Sequence, residues 1–443
     1  MVEKTSTVVT QFTSVIVTLL CLSCLFSQEP VTINPSIAKY TYPNMLKLDT
    51  TLKSAYPFIN LEKNNFKFYS EKSENWTGLY LKISKMIVKK ENKLNFYHIG
   101  GSHLQADIYT HDFRTFLQSY WSNLPGERGL VFPFELAKTN NPSNYDFSSP
   151  NNWKAYRSVS DRSSTLDYGL MGAVIVCSDS VITITFKHNK TNVKPPFTQL
   201  RIYHNKGRLP FDLNFGESEI LIDNIISNPE KGYTDIYFND PIHEMDIQFT
   251  RNTQDALELE LYGFLFMNDN PGISYNTIGV NGASLSTYLK NNNYEEQLAS
   301  YPPDLFVFSV GTNDANVPYN QFNPELYKTN LEKLILKVLH TNPSCALLLT
   351  VPNDSYYYKK YPNQNIARER EVIIELAKKY EAAVWDFYGI MGELGSSKLW
   401  QQNHLMQNDL VHFTATGYHL KGDLLIDAFL KFMDQFDKLN VTH

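Results

Sequence analysis

The feature that most constrains this chain is an alternation of apolar runs, glycine-bearing turns and helical stretches that breaks off once and then resumes. It opens with Leu94-Asn-Phe-Tyr-His-Ile99, then Gly100-Gly101-Ser102, then a helical pattern over 103–120. It resumes at 276–279, followed by Asn281-Gly282 and a helix. Next come an apolar run at 304–310, Gly311-Thr-Asn-Asp314 and a helix over 324–339. A run at 345–351, Pro352-Asn-Asp354, a helix over 366–380 and a short strand at 383–387 complete it. Strands this continuously apolar, separated by helices, belong to a parallel sheet buried on both faces. Upstream, the spacing of Trp76, Leu79, Leu81, Ile83, Met86 and Ile87 predicts a helix over 76–88, with Ser73 or Asn75 as its cap.

Between the halves the pattern changes to period two. Short runs at 173–176, 181–186, 200–203, 219–222, 234–238, 245–249 and 257–261 are separated by turn residues such as Asn205-Lys-Gly207 and Asn239-Asp-Pro241. That pattern predicts an all-β sandwich over 158–268. The expected architecture is an α/β fold: a three-layer α/β/α domain with a parallel sheet, in parts 73–157 and 269–443, interrupted by the sandwich. A leader over 28–72 is expected to pack loosely, and 443 residues suffice for two domains.

Residues 1–27 read as an export signal, with Lys4 before an apolar run at 15–26 that is short for a bilayer. Two processing routes stay open: cleavage near Ser27–Gln28, or lipid attachment at Cys24, which follows Leu22-Ser23. No later stretch is apolar enough for a transmembrane helix. Cys21 and Cys24 lie within the signal, so their spacing carries no metal or redox reading; Cys177 and Cys345 sit in apolar runs and read as buried, unpaired thiols. A net charge of −6 gives no footprint for a nucleic-acid partner.

The chemistry-bearing residues fall just after strands, the sheet edge where sites of open α/β folds form, or in the last loop. Ser102 follows the first strand directly, and its hydroxyl needs a base to act as a nucleophile. Asp409-Leu-Val-His412 offers an imidazole and, three residues away, a carboxylate to orient it. The Ser102 N–H, the Gly282 N–H and the Asn313 side-chain amide would supply three donors for an oxyanion.

The order Ser102, Gly282, Asn313, Asp409-x-x-His412 resembles the SGNH (GDSL-type) hydrolase superfamily. Its interrupted layout, with His103 after the serine and Gly-Leu-Val-Phe-Pro-Phe134 downstream, resembles bacterial peptidoglycan O-acetylesterases that carry a carbohydrate-binding-like insert. The resemblance implies a flavodoxin-like sheet, Ser102 as nucleophile, His412 as base, Asp409 as its partner, and Ser102, Gly282 and Asn313 as the oxyanion hole. It implies no cofactor or metal, an O-acetylated glycan as substrate and an exported enzyme at the periplasm or cell surface. One position departs: Gly101 stands where the family carries aspartate.

Each residue also has a plainer reading. Ser102 alone would be a helix cap, Gly-Thr-Asn-Asp314 a turn, and Asp409-x-x-His412 a surface turn. His98 reads as a core or subsite residue, His103 as a cleft-lining one, and His404 as a weaker rival to His412 because no carboxylate precedes it by three. His243-Glu244 fails the zinc-protease pattern at Ile247. Lys138, Trp153, Tyr203, Tyr233 and Tyr237 could meet sugar, but packing accounts for them by default. Two other functions remain open: a lipase or thioesterase using the same triad, and a catalytically silent glycan-binding protein.

Overall fold

The computed structural model describes residues 52–70, 73–160, 166–189, 194–255 and 257–441. The export signal, Cys24 and the start of the leader fall outside them.

Six strands form the sheet that carries the site. In spatial order they are Lys67–Phe68, Ala383–Asp386, Ala346–Val351, Leu305–Ser309, Lys93–Gly100 and Gly272–Gly279. All neighbours are parallel except the first pair. The interior strands are buried almost throughout, which is why their sequences read as continuous apolar runs. Helices Glu74–Lys89, Tyr109–Ser119 and Ala415–Val441 pack on one face, where Trp76, Phe96, Phe113 and Phe429 lie in one apolar cluster. On the other face, helices Pro324–Thr341 and Asn365–Lys379 contribute Leu334, Ile335 and Leu376 to a core that continues into the β-rich layer. The fold class is therefore α/β with added antiparallel sheets, as the pattern predicts.

The β-rich layer consists of two antiparallel sheets. One runs Ile222–Asn228, Tyr233–Ile242, Phe197–His204, Leu259–Met267, Ala173–Cys177, Lys154–Arg157, with Gly129–Val131 also paired to Leu259–Met267. The other runs Tyr145–Ser148, Val181–His188, Met245–Arg251, Phe211–Asn214. Their inner faces meet through aromatic rings: Phe186 stacks on Phe266 at 4.3 Å and Phe147 on Phe264 at 5.1 Å between centroids. Three of these strands, Gly129–Val131, Tyr145–Ser148 and Lys154–Arg157, come from the stretch 121–157, where no strand is expected.

Several local expectations fail for identifiable reasons. The stretch 103–120 is two helices, Ser102–Gln105 and Tyr109–Ser119, because Asp107 takes φ +46° and its carboxylate accepts from the Thr110 hydroxyl and the Arg114 guanidinium. Residues Gly216–Leu221 form a 3₁₀ turn rather than opening a strand. The described end of the leader is not loose. Lys67–Phe68 adds an edge strand, and Phe68 packs edge-on against Trp76 at 5.3 Å. Cys177 and Cys345 are buried free thiols, as read from the sequence.

Candidate active site

The central strand Lys93–Gly100 ends directly beneath Ser102, which opens the short helix Ser102–Gln105. Its neighbour Gly272–Gly279 runs in register with it, pairing Gly279 with Gly100, so the loop 280–284 rises beside the serine. On the other side Leu305–Ser309 pairs Ser309 with Gly100 and delivers Asn313. The C-terminal segment brings Asp409 and His412 back over the same edge.

The structure brings the three expected residues into one line. The Ser102 Oγ lies 2.8 Å from His412 Nε2, and His412 Nδ1 lies 2.7 Å from Asp409 Oδ2. The carboxylate fixes the proton on Nδ1, which leaves Nε2 to accept from the serine hydroxyl. Asp409 is itself held: its Oδ1 accepts from the backbone N–H of Val411 and of His412, each at 2.9 Å. Burial raises the Asp409 pKa, but these hydrogen bonds outweigh it and keep the carboxyl below its ordinary value. Phe413, fully buried against Trp400, Phe387 and Tyr418, anchors the loop that presents His412. Burying such a ring stabilises the loop by about 2–3 kcal/mol.

The proposed oxyanion donors belong to adjoining loops. Asn313 Nδ2 donates to the Ala283 carbonyl at 2.8 Å, so one amide hydrogen ties its loop to the Gly282 loop and the other has no protein acceptor among the described residues. Gly282 takes φ +85°, a conformation that favours glycine, and its N–H is likewise unclaimed. Gln105, which sequence reasoning passed over, links the parts: its Oε1 accepts from Asn281 N–H at 2.7 Å and its Nε2 donates to Thr139 and Asn140. It lies three residues after Ser102 on the same helical turn, which is the signal that could have found it. Asp314 does not cap the helix that follows it, which Asn323 caps; it accepts from Leu285 N–H at the start of the earlier helix Leu285–Tyr288, and burial pushes its pKa up to about 7.

A side chain at position 101 would stand beside this amide. A Cβ placed on Gly101 lies 3.1 Å from Asn313 Nδ2. Glycine at this position leaves the Asn313 amide room beside Ser102.

The other histidines separate cleanly. His98 is buried within the central strand, hydrogen-bonded to Tyr275 and Ser309, and burial lowers its pKa to about 3. His103 does not line an open cleft: it is buried behind the triad, its ring 5.2 Å from that of His412 and its Nδ1 2.9 Å from the Tyr418 hydroxyl. Among the described residues His404 has no carboxylate partner, and His243 Nδ1 lies 2.9 Å from the Lys194 carbonyl. Trp153 and Tyr203 are buried, with Tyr203 bonded to Ser300, and Tyr233 lies under Arg201.

A family model described as the GDSL-like Lipase/Acylhydrolase family matches residues 257–420. That span includes Gly282, Asn313, Asp409 and His412, and leaves Ser102 to be supplied by the distant first strand. No curated protein matches the chain in sequence. Among solved structures, a peptidoglycan O-acetylesterase aligns with TM-score 0.70 at 19% identity, over 84% of this chain and 99% of that one. A lipase/acylhydrolase from Enterococcus faecalis aligns at TM-score 0.29 and 21% identity, over 36% of this chain and 77% of its own. The acetyl xylan esterase AlAXEase aligns at TM-score 0.29 and 19% identity, over 35% and 81%. Only the first bears on the fold of the whole chain. Residues 257–420 are thus similar to the GDSL-like acylhydrolases, the SGNH kind of esterase. In fold the chain resembles a peptidoglycan O-acetylesterase.

Proposed function

We propose that the protein is an exported serine esterase that removes O-acetyl groups from a cell-wall or related bacterial glycan. The observation that carries this reading is the hydrogen-bonded line Ser102–His412–Asp409, with its two contacts of 2.8 and 2.7 Å, at the C-terminal edge of the parallel sheet. In the first step His412 Nε2 takes the Ser102 proton while Oγ attacks the acetyl carbonyl. The oxyanion is received by the N–H groups of Ser102 and Gly282 and by the Asn313 amide. The ester C–O bond breaks, and the sugar oxygen leaves with the proton held by His412. Water, deprotonated by the same imidazole, then attacks the acetyl-serine. Acetate leaves and Ser102 regains its proton. No step calls for a cofactor.

The choice of glycan is supported by the full-length likeness to a peptidoglycan O-acetylesterase and by the sandwich, which we assign to substrate holding. The signal-like residues 1–27 support export; among the described residues no helix is long and apolar enough to cross a membrane. The test is acetate release from O-acetylated peptidoglycan, set beside a chain-length series of nitrophenyl esters. Activity falling steeply beyond acetyl and abolished in Ser102→Ala is expected. Preference for long acyl chains, or a Ser102→Ala variant as active as its parent, overturns the reading.

A further inference from the structure

Beside the triad stands a small hairpin that no step above uses. Tyr356–Tyr357 pairs with Tyr361–Pro362, and the sequence Tyr-Tyr-Tyr-Lys-Lys-Tyr runs through its turn. It grows from the loop that follows strand Ala346–Val351 and is fastened to the triad loop: Tyr356 N–H donates to the Leu410 carbonyl at 3.1 Å and the Asn353 amide to the Val411 carbonyl at 3.2 Å. Those two carbonyls lie between Asp409 and His412, so the hairpin and the catalytic imidazole share one support.

Its tip is aromatic, basic and outward. Tyr358 is 77% exposed and Tyr361 54%, values that a packing role does not explain. Lys359 and Lys360 are exposed beside them, with the Lys360 ammonium 5.2 Å from the Tyr361 ring. Tyr358 and Lys359 both hold positive φ, +51° and +58°, where asparagine and glycine are the usual occupants. Two large side chains are thus kept out in water at a conformational cost. An open cavity of about 580 Å³ takes in Lys359 of the tip and Asp409, the one triad residue in its lining, together with Gln401, His404, Gln407 and Asn408. That volume suits a sugar residue rather than a long acyl chain in an apolar tunnel.

We propose that this hairpin is a substrate subsite that grips a carboxylate-bearing glycan strand next to the sugar being deacetylated. The faces of Tyr358 and Tyr361 cover the apolar face of a pyranose ring, while the Lys359 and Lys360 ammonium groups meet its carboxylates. The choice of an anionic glycan follows from charge: a chain of net charge −6 places two adjacent lysines at the hairpin tip, with Lys398 over the Tyr356 ring. The proposal rests on the esterase reading for the identity of the bound sugar, and its test keeps the two apart.

Binding is measured without turnover, by co-sedimentation of the Ser102→Ala chain with insoluble O-acetylated peptidoglycan. Two double variants are compared in that background, Tyr358→Ala with Tyr361→Ala, and Lys359→Gln with Lys360→Gln. Thermal midpoints report that they are folded. Each pair is expected to weaken binding about tenfold, the loss typical of removing an exposed anchor from an interface. Added salt is expected to weaken the parent strongly and the lysine variant little. Acetylated xylan, a neutral polymer, is expected to bind equally to the parent and the lysine variant. Parent-like binding in both variants, or no binding by the parent, overturns the subsite. Failure of the Ser102-containing chain to release acetate, with hairpin-dependent binding intact, would overturn the esterase reading and leave the subsite standing.

Discussion

Replacing Asp409 by asparagine changes one charge and almost no volume, so it asks what the carboxylate does. The amide oxygen can still accept from Val411 and His412 N–H at 2.9 Å, which keeps the turn. The amide nitrogen then faces His412 Nδ1 across 2.7 Å, and two donors cannot share that contact. The imidazole must move its proton to Nε2, where it points at the Ser102 hydroxyl and can no longer receive its proton. The variant also loses the attraction between carboxylate and developing imidazolium, about 4 kcal/mol for charges some 4 Å apart at an effective dielectric of about 20. Together these predict a fall in kcat of about 10³–10⁴-fold. Nitrophenyl acetate hydrolysis measures the fall, and the rate of labelling by a fluorophosphonate follows it. The melting temperature is expected to drop only slightly, since two of three hydrogen bonds persist. A variant that keeps a tenth of the parental kcat, with its tautomer free to adjust, refutes the assignment of Asp409.

Two further perturbations probe the surroundings. Gly101→Ala places its Cβ 3.1 Å from the Asn313 amide, so the amide must retreat by a few tenths of an ångström. A fall in kcat of about tenfold at unchanged melting temperature is expected, less than the 10²–10³ for loss of a whole oxyanion donor; an unchanged kcat would show that Asn313 is not poised there. Lys421 is buried with its ammonium 4.4 Å from the Phe387 ring and 4.7 Å from that of Tyr109, and burial lowers its pKa to about 7. The unfolded chain then holds more protons between pH 7 and the ordinary lysine value, so stability gains with rising pH there. Urea unfolding at pH 7 and 9 should show parental stability improving relative to Lys421→Met; parallel behaviour of the two chains would contradict this.

Much of the candidate site was legible because Ser102, Gly282 and Asn313 each lie in a loop that follows a buried strand. Ser102, Gly282 and Asn313 are announced by runs such as Leu305–Ser309 whose two-face burial leaves no other pattern possible. Asp409 and His412 were legible as a pair, since residues i and i+3 in a turn can meet without tertiary help, but only the order of all the blocks set them apart from a surface turn. What escaped depends on tertiary contact. The break at Asp107 arises from a buried ion pair with Arg114, and the strand Lys67–Phe68 exists only because the sheet edge at Ala383 is there to receive it. The tyrosine-rich hairpin has no hydrophobic period and borrows its shape from the triad loop. Gln105 and His103 are ordinary helix residues until distant segments arrive, Asn281 for the first and Tyr418 for the second.

Ser102 and His412 are 310 positions apart, and the central strand meets its partner Gly272–Gly279 only after the whole sandwich has been traversed. On the proposed mechanism, a chain emerging from synthesis carries its nucleophile early and its base almost last. Until the final segment docks, Ser102 would be an ordinary alcohol. Ester cleavage would then certify completed folding, and truncation anywhere before His412 is expected to abolish it.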